Sequence, residues 1–189
     1  GDFLVQTLHC HNNPVDYEIQ KDVKRKAYQN FIHYAIEHSD AFMLVEYKSS
    51  EKTGKSYYQT FEELEKFQIK ERGKENNIWK WPNMEAMYDE LRAEYCEPYD
   101  YIIRMYRADM AVEKVLQKPK SLFNWNWPDY PMDLSFFKEG VCWFATTAHE
   151  KNAYIYTDSN DLLQDLKQLG LSFEKESYDS DLFVEEYTI

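Results

Sequence analysis

The sequence predicts an α+β fold: a mixed or mainly antiparallel sheet with helices packed on it. Three observations carry this. Apolar residues recur at helical spacing in several stretches. Short apolar runs bounded by turn residues lie between those stretches and read as strands. After residue 132 three such runs succeed one another with only turns between them, which is a C-terminal β-meander, an antiparallel motif.

The elements can be justified in chain order. Asn13 suits the cap of a first helix and Pro14 its first position. Ile19, Val23, Ala27, Phe31 and Ala35 recur every four residues, with Tyr28, Ile32 and Ile36 beside them, forming one broad apolar stripe. Lys21, Lys24, Arg25 and Lys26 surround that stripe and read as a solvated face. Residues 41–47, AFMLVEY, are apolar enough for a buried strand, and residues 48–57 read as a polar loop. Thr60 and Glu63 have the spacing of a capping box, which would open a second helix carrying Phe61, Leu64 and Phe67 and ending at Gly73. A third helix is expected from Asn83, with Met84, Met87, Tyr88, Leu91 and Tyr95 on one side, stopping at Pro98.

Residues 101–106 form the next strand, and Asp109 opens a short helix reaching about Gln117. The meander has strands at 133–137, 141–148 and 153–157. Gly140 is available for positive φ in its first turn. Asp158 and Ser159 cap a helix with Leu162, Leu163, Leu166 and Leu169 on one side, closed by Gly170. Two short strands, LSFE and LFVEEYT, are expected at the end of the chain.

The chain has 189 residues, enough for one domain at 1–189 with a substantial core. An aromatic share of 17% sets it apart from disordered chains, which lack the apolar area to offset ordering entropy. Net charge is −12, so phosphate backbones and anionic membrane surfaces would repel it; neither nucleic acid nor membrane is an expected partner. A basic protein partner is electrostatically allowed. Cys10, Cys96 and Cys142 are odd in number and unpatterned, which points to a reducing, cytoplasmic setting. No signal-peptide pattern and no apolar run of membrane-spanning length is visible.

One internal echo stands out. Trp79-Lys80-Trp81-Pro82-Asn83 matches Trp125-Asn126-Trp127-Pro128-Asp129 as W-x-W-P and then Asn or Asp. With the order of preceding elements, it suggests a weak duplication, with halves about 1–83 and 84–189. In an extended segment residues two apart share a face, so Trp125 and Trp127 are expected side by side. The paired indoles then either stack on a ligand or shield the sheet; the second use is favoured, since an indole buries on the order of 200 Å². Asn124, Asn126, Asp129 and Tyr130 give the second copy a polar dressing that a binding face would use.

Two other groups could carry chemistry. His9 and His11 lie on one face of an extended segment, half of a zinc site in need of further ligands. His149 and Glu150 enter a turn, where a His–carboxylate pair can act as acid and base. Cys142 sits seven residues before His149 and projects to the other side of a regular strand, so the two do not form a nucleophile dyad. Phosphate-loop, dinucleotide-binding and nucleophile-elbow motifs are absent from the sequence. No cofactor and no metal is expected.

The reading that results is a cytoplasmic, acidic, non-enzymatic interaction protein. Trp125, Trp127, Asp129, Tyr130, His149 and Glu150 are its binding residues. Its partner would be a basic protein that it neutralises in the manner of an immunity protein. The alternatives are a metal-dependent hydrolase using His9, His11, His149 and Glu150, and a small-ligand sensor with a Trp-lined pocket.

Overall fold

The computed structural model describes residues 15–47, 53–69 and 101–176. It has an α+β architecture. Among the described residues seven antiparallel strands form one sheet, in the order β3-β2-β4-β5-β6-β1-β7. They are β1 (Val15–Ile19), β2 (Ala41–Tyr47), β3 (Tyr101–Arg107), β4 (Met132–Lys138), β5 (Val141–Thr147), β6 (Asn152–Thr157) and β7 (Phe173–Lys175). Among the described residues four helices accompany them: α1 (Arg25–Glu37), α2 (Lys55–Leu64), α3 (Glu113–Leu116) and α4 (Asn160–Gln168). β2 lies between β3 and β4, and β1 between β6 and β7, so early and late parts of the chain interleave in the sheet.

Both sheet faces carry apolar side chains. On the helical face, Phe42, Leu44, Leu134, Phe136, Phe144, Ala153 and Ile155 meet Tyr28, Phe31, Ile32, Ala35 and Ile36 of α1 and Leu163 and Leu166 of α4. Phe31 is the centre of an aromatic group, 4.6 Å from Phe144 and 5.9 Å from Phe136 between ring centroids. On the opposite face Met43, Val45, Ile103, Met105, Phe137, Cys142 and Ala145 form a second apolar cluster. Burial on both faces is why residues 41–45 are apolar without interruption.

Two irregularities in the sheet decide which side chains reach each face. Asp133 takes a left-handed φ of 60° inside β4. Residues two apart in a strand normally share a face, yet Met132 joins one cluster and Leu134 the other. In β5 the register against β4 shifts between Phe136 and Phe137, and the extra residue lets consecutive Trp143 and Phe144 both reach the helical face.

The meander, the strand at β2, the short helix capped by Asp109 and the helix capped by Ser159 form where the sequence puts them. Asp109 accepts a hydrogen bond from Ala111 N–H and Ser159 from Leu162 N–H. Gly170 closes α4 at φ 104°. Between β4 and β5 the turn is Glu139-Gly140, with φ of 52° and 79°, the primed two-residue geometry that matches strand twist.

Two expectations are corrected. The first helix starts at Arg25, and residues 15–19 are the strand β1. Tyr17 and Ile19 turn to the helical core, while Asp16 and Glu18 pair with Tyr156 and Tyr154. A two-residue alternation was embedded in the four-residue series, and tertiary pairing selected it. The second helix starts at Lys55 behind Gly54, inside the supposed loop. Thr60 lies within that helix and donates back to Ser56 C=O at 2.7 Å, which is not a cap. Asn13, Pro14, Gly73, the helix expected from Asn83 and the strand LFVEEYT lie outside the described residues.

Candidate functional site

The W-x-W-P stretch is built on a short 3₁₀ turn, Leu122–Asn124, which leads into Trp125 at φ −70°, ψ 71°. Asn126 N–H then donates to Asn124 C=O at 2.7 Å. The segment is therefore coiled, and the period-two argument does not apply. Trp125 is fully buried among the helices; Trp127 packs against the opposite apolar cluster. The expected side-by-side pair is overturned: the two indoles lie on different sides of the sheet. Trp125 Nε1 donates to Tyr28 Oη at 2.6 Å, and Tyr28 Oη donates to Leu116 C=O. Burial pushes the Tyr28 phenol far above its usual range. Trp127 meets Tyr47 edge-on at 5.6 Å.

The other expected residues disperse. Tyr130 sits against Trp125, 5.5 Å between ring centroids. Asp129 is exposed, next to Gly54, whose N–H donates to Pro128 C=O at 3.0 Å. His149 and Glu150 are exposed on a 3₁₀ turn, Ala148–Glu150, between β5 and β6. Cys142 is buried in the second apolar cluster, away from that turn. His9, His11, Trp79 and Trp81 lie outside the described residues. Among the described residues no group of three or more His, Cys, Asp or Glu could hold a metal ion.

The turn 148–151 is the junction of two surfaces. Asp133 holds it from below: its Oδ1 accepts the Ala148 N–H at 2.9 Å, and its own N–H donates to Trp125 C=O at 3.2 Å. Asp133 is 1% exposed, and its Oδ2 has no hydrogen-bond partner. Burial raises its carboxyl to about 7, against the pull of the Ala148 N–H, and Glu150 adds repulsion. One residue, through its carboxylate and its backbone N–H, thus ties the turn to the Trp125 loop.

On one side of the turn is a cleft of about 480 Å³. Its walls are the segment from Ile19 to Lys24, the loop bearing Phe123, Asn124 and Asn126, and the turn with His149 and Lys151. Backbone contacts pin the first two walls together: Leu122 N–H to Val23 C=O at 2.9 Å and Arg25 N–H to Lys120 C=O at 3.0 Å. Asp22 Oδ1 accepts the Phe123 N–H at 3.1 Å. Lys151, on the cleft wall, is left-handed at φ 57°, as are Arg25, next in the chain after Lys24, and Asp133 beneath the turn. Such conformations cost on the order of 1 kcal/mol or more each and persist only where the surroundings over-determine them.

On the other side is an acidic edge. Asp16 and Glu18 of β1 face Tyr156 and Tyr154 of β6, and Glu174 of β7 pairs with Glu18. Glu176 hydrogen-bonds Glu18, and that contact, with burial and like-charge repulsion, raises its carboxyl to about 7. Burial, then the charge of Glu176, raises Asp16 to about 7. The Tyr154 phenol rises to about 12 through burial and the surrounding Glu18, Glu176, Glu150 and Asp16. A period-two reading of residues 15–19 would have placed Asp16 and Glu18 on one face; the pairing with β6 and β7 has no local sequence signal.

Basic residues gather in two clefts. Lys21, Lys24 and Lys151 line the large cleft, and Arg25, Lys26 and Lys120 line a smaller one of about 260 Å³. No helix among the described residues is long and apolar enough to cross a membrane. Comparison of the chain with protein-family models, curated proteins and solved structures finds no match.

Proposed function

We propose that this protein is a non-enzymatic interaction protein that captures a basic protein partner through the edge formed by β1, β6 and β7. The observation that supports this reading is the crowding of Asp16, Glu18, Glu174 and Glu176 beside two tyrosines. Burial raises the Asp16 carboxyl and the hydrogen bond to Glu18 raises that of Glu176, with like-charge repulsion adding to both, so a cationic surface arriving at the edge relieves part of a cost the free protein carries. Tyr154, half-buried beside them, supplies rigid, amphipathic contact area of the kind that anchors interfaces, on a floor that includes the buried Tyr156. Neutralisation of a basic partner, as an immunity protein does for a toxin, fits this chemistry.

The test is binding of the immobilised chain to a panel of purified strongly basic proteins. The expected result is association that weakens steeply with salt and falls by at least about tenfold in Glu18→Lys and Glu174→Lys. Binding that is indifferent to both salt and these charge reversals contradicts it.

A further inference from the structure

We propose that the cleft between the Ile19–Lys24 segment, the Asn124–Asn126 loop and the 148–151 turn binds a small phosphorylated organic molecule. This site is separate from the acidic edge and uses none of its residues.

Charge is the first reason. The chain carries −12 overall, yet Lys21, Lys24 and Lys151 converge on one cleft whose wall carboxylate is Asp22. Asp22 is already engaged by the Phe123 N–H. His149 Nε2 lies 3.7 Å from Glu150 Oε1, at the rim. Among the described residues no ion pair engages the three lysines. At physiological ionic strength charges are screened beyond about 8 Å, so an anion in the cleft responds most to the ammonium groups that line it.

Geometry is the second reason. A volume of about 480 Å³ lies in the range of small-molecule sites and exceeds what a bare phosphate fills. Asn124 and Asn126 offer amide donors and acceptors, and Ile19 and Phe123 supply apolar wall for an organic group. Lysines act as point charges around a group with oxygens in several directions, which suits phosphate; the cleft walls hold no arginine fork of the kind that pairs with a planar carboxylate. The walls are fixed to one another by backbone bonds and by Asp133, so little ordering is required on binding.

The experiment is calorimetric titration of the whole chain with inorganic pyrophosphate, a nucleoside diphosphate and citrate, with Lys24→Gln, Lys151→Asn and Lys175→Gln as variants. Asn tolerates the left-handed conformation at residue 151, and Lys175 is an exposed control on β7. The expected result is saturable binding of both phosphorylated probes, tighter for the one with an organic part, weakened about tenfold or more in Lys24→Gln and Lys151→Asn and unchanged in Lys175→Gln. Should either cleft variant fail to fold, Lys21→Gln carries the same expectation. Absence of binding by every probe up to about 10 mM, or equal binding by all variants, overturns the site. Citrate binding as tightly as pyrophosphate overturns the assignment to phosphate.

Discussion

Asp133 Oδ1 accepts the Ala148 N–H at 2.9 Å from a side chain that is 1% exposed and a backbone that is left-handed. With the bond from the Asp133 N–H to Trp125 C=O, the contact joins the meander's second turn to the Trp125 loop. Removing the acceptor in Asp133→Ala leaves the Ala148 N–H buried without its partner and puts alanine at positive φ. The expected loss is about 2–4 kcal/mol, measured by denaturant unfolding. Asp133→Asn keeps an acceptor and tolerates the backbone, so it is expected to retain most of the stability.

The same burial makes stability depend on pH. Asp16, Asp133 and Glu176 each have folded carboxyls raised from ordinary values near 4 to about 7. A raised carboxyl means the folded state holds protons that the unfolded chain has released. The contribution is therefore complete in acid below about pH 4 and is lost as pH rises through about 7. Melting temperature is expected to fall between pH 5 and pH 8, and Asp133→Asn to flatten that fall. A melting temperature that rises over this interval contradicts the assignment.

The two tryptophans of the W-x-W-P motif should respond differently. Tyr28→Phe leaves Trp125 Nε1 and Leu116 C=O without their shared hydroxyl inside the core, with an expected cost of about 1–3 kcal/mol. Trp127 is half-buried, and its Nε1 has no hydrogen-bond partner. Trp127→Phe removes that donor and is expected to cost less than Tyr28→Phe. Unfolding free energies for the two variants decide it; the reverse ranking would show that the exposed-side indole carries the structure.

The first turn of the meander offers a stabilising change. Glu139 has φ 52° before Gly140, a position where asparagine is favoured. Its N–H donates to Asp40 Oδ2 at 2.6 Å, a backbone contact that survives substitution. Glu139→Asn is expected to gain up to about 1 kcal/mol, and Gly140→Ala to lose about 1 kcal/mol, in thermal unfolding.

Much of the fold was legible because local signals and tertiary packing agreed. Ser159 and Asp109 cap the helices they were expected to cap, and the apolar stripe of Phe31, Ile32, Ala35 and Ile36 faces the core. The errors arose where two periods overlapped. Ile19 fits both a four-residue helical series and a two-residue strand, and only pairing with β6 and β7 decides between them. Trp125 and Trp127 were misplaced because an extended segment was assumed where a 3₁₀ turn ends. Of the expected binding residues, His149 lines the cleft, and Glu150 adds to the field at Tyr154 on the acidic side. Lys21 and Lys24, read as solvated surface, are cleft walls. Their convergence with Lys151 depends on contacts spanning more than a hundred residues, which no local pattern records.

The most direct test of the central claim is amide chemical-shift mapping of one labelled sample titrated with a strongly basic protein. Shifts are predicted to concentrate at Glu18, Tyr154, Tyr156, Glu174 and Glu176, to disappear at high salt, and to spare Lys24, Asn126 and Lys151. Shifts centred on Lys24, Asn126 and Lys151, with the β1–β6–β7 edge undisturbed, would contradict the claim.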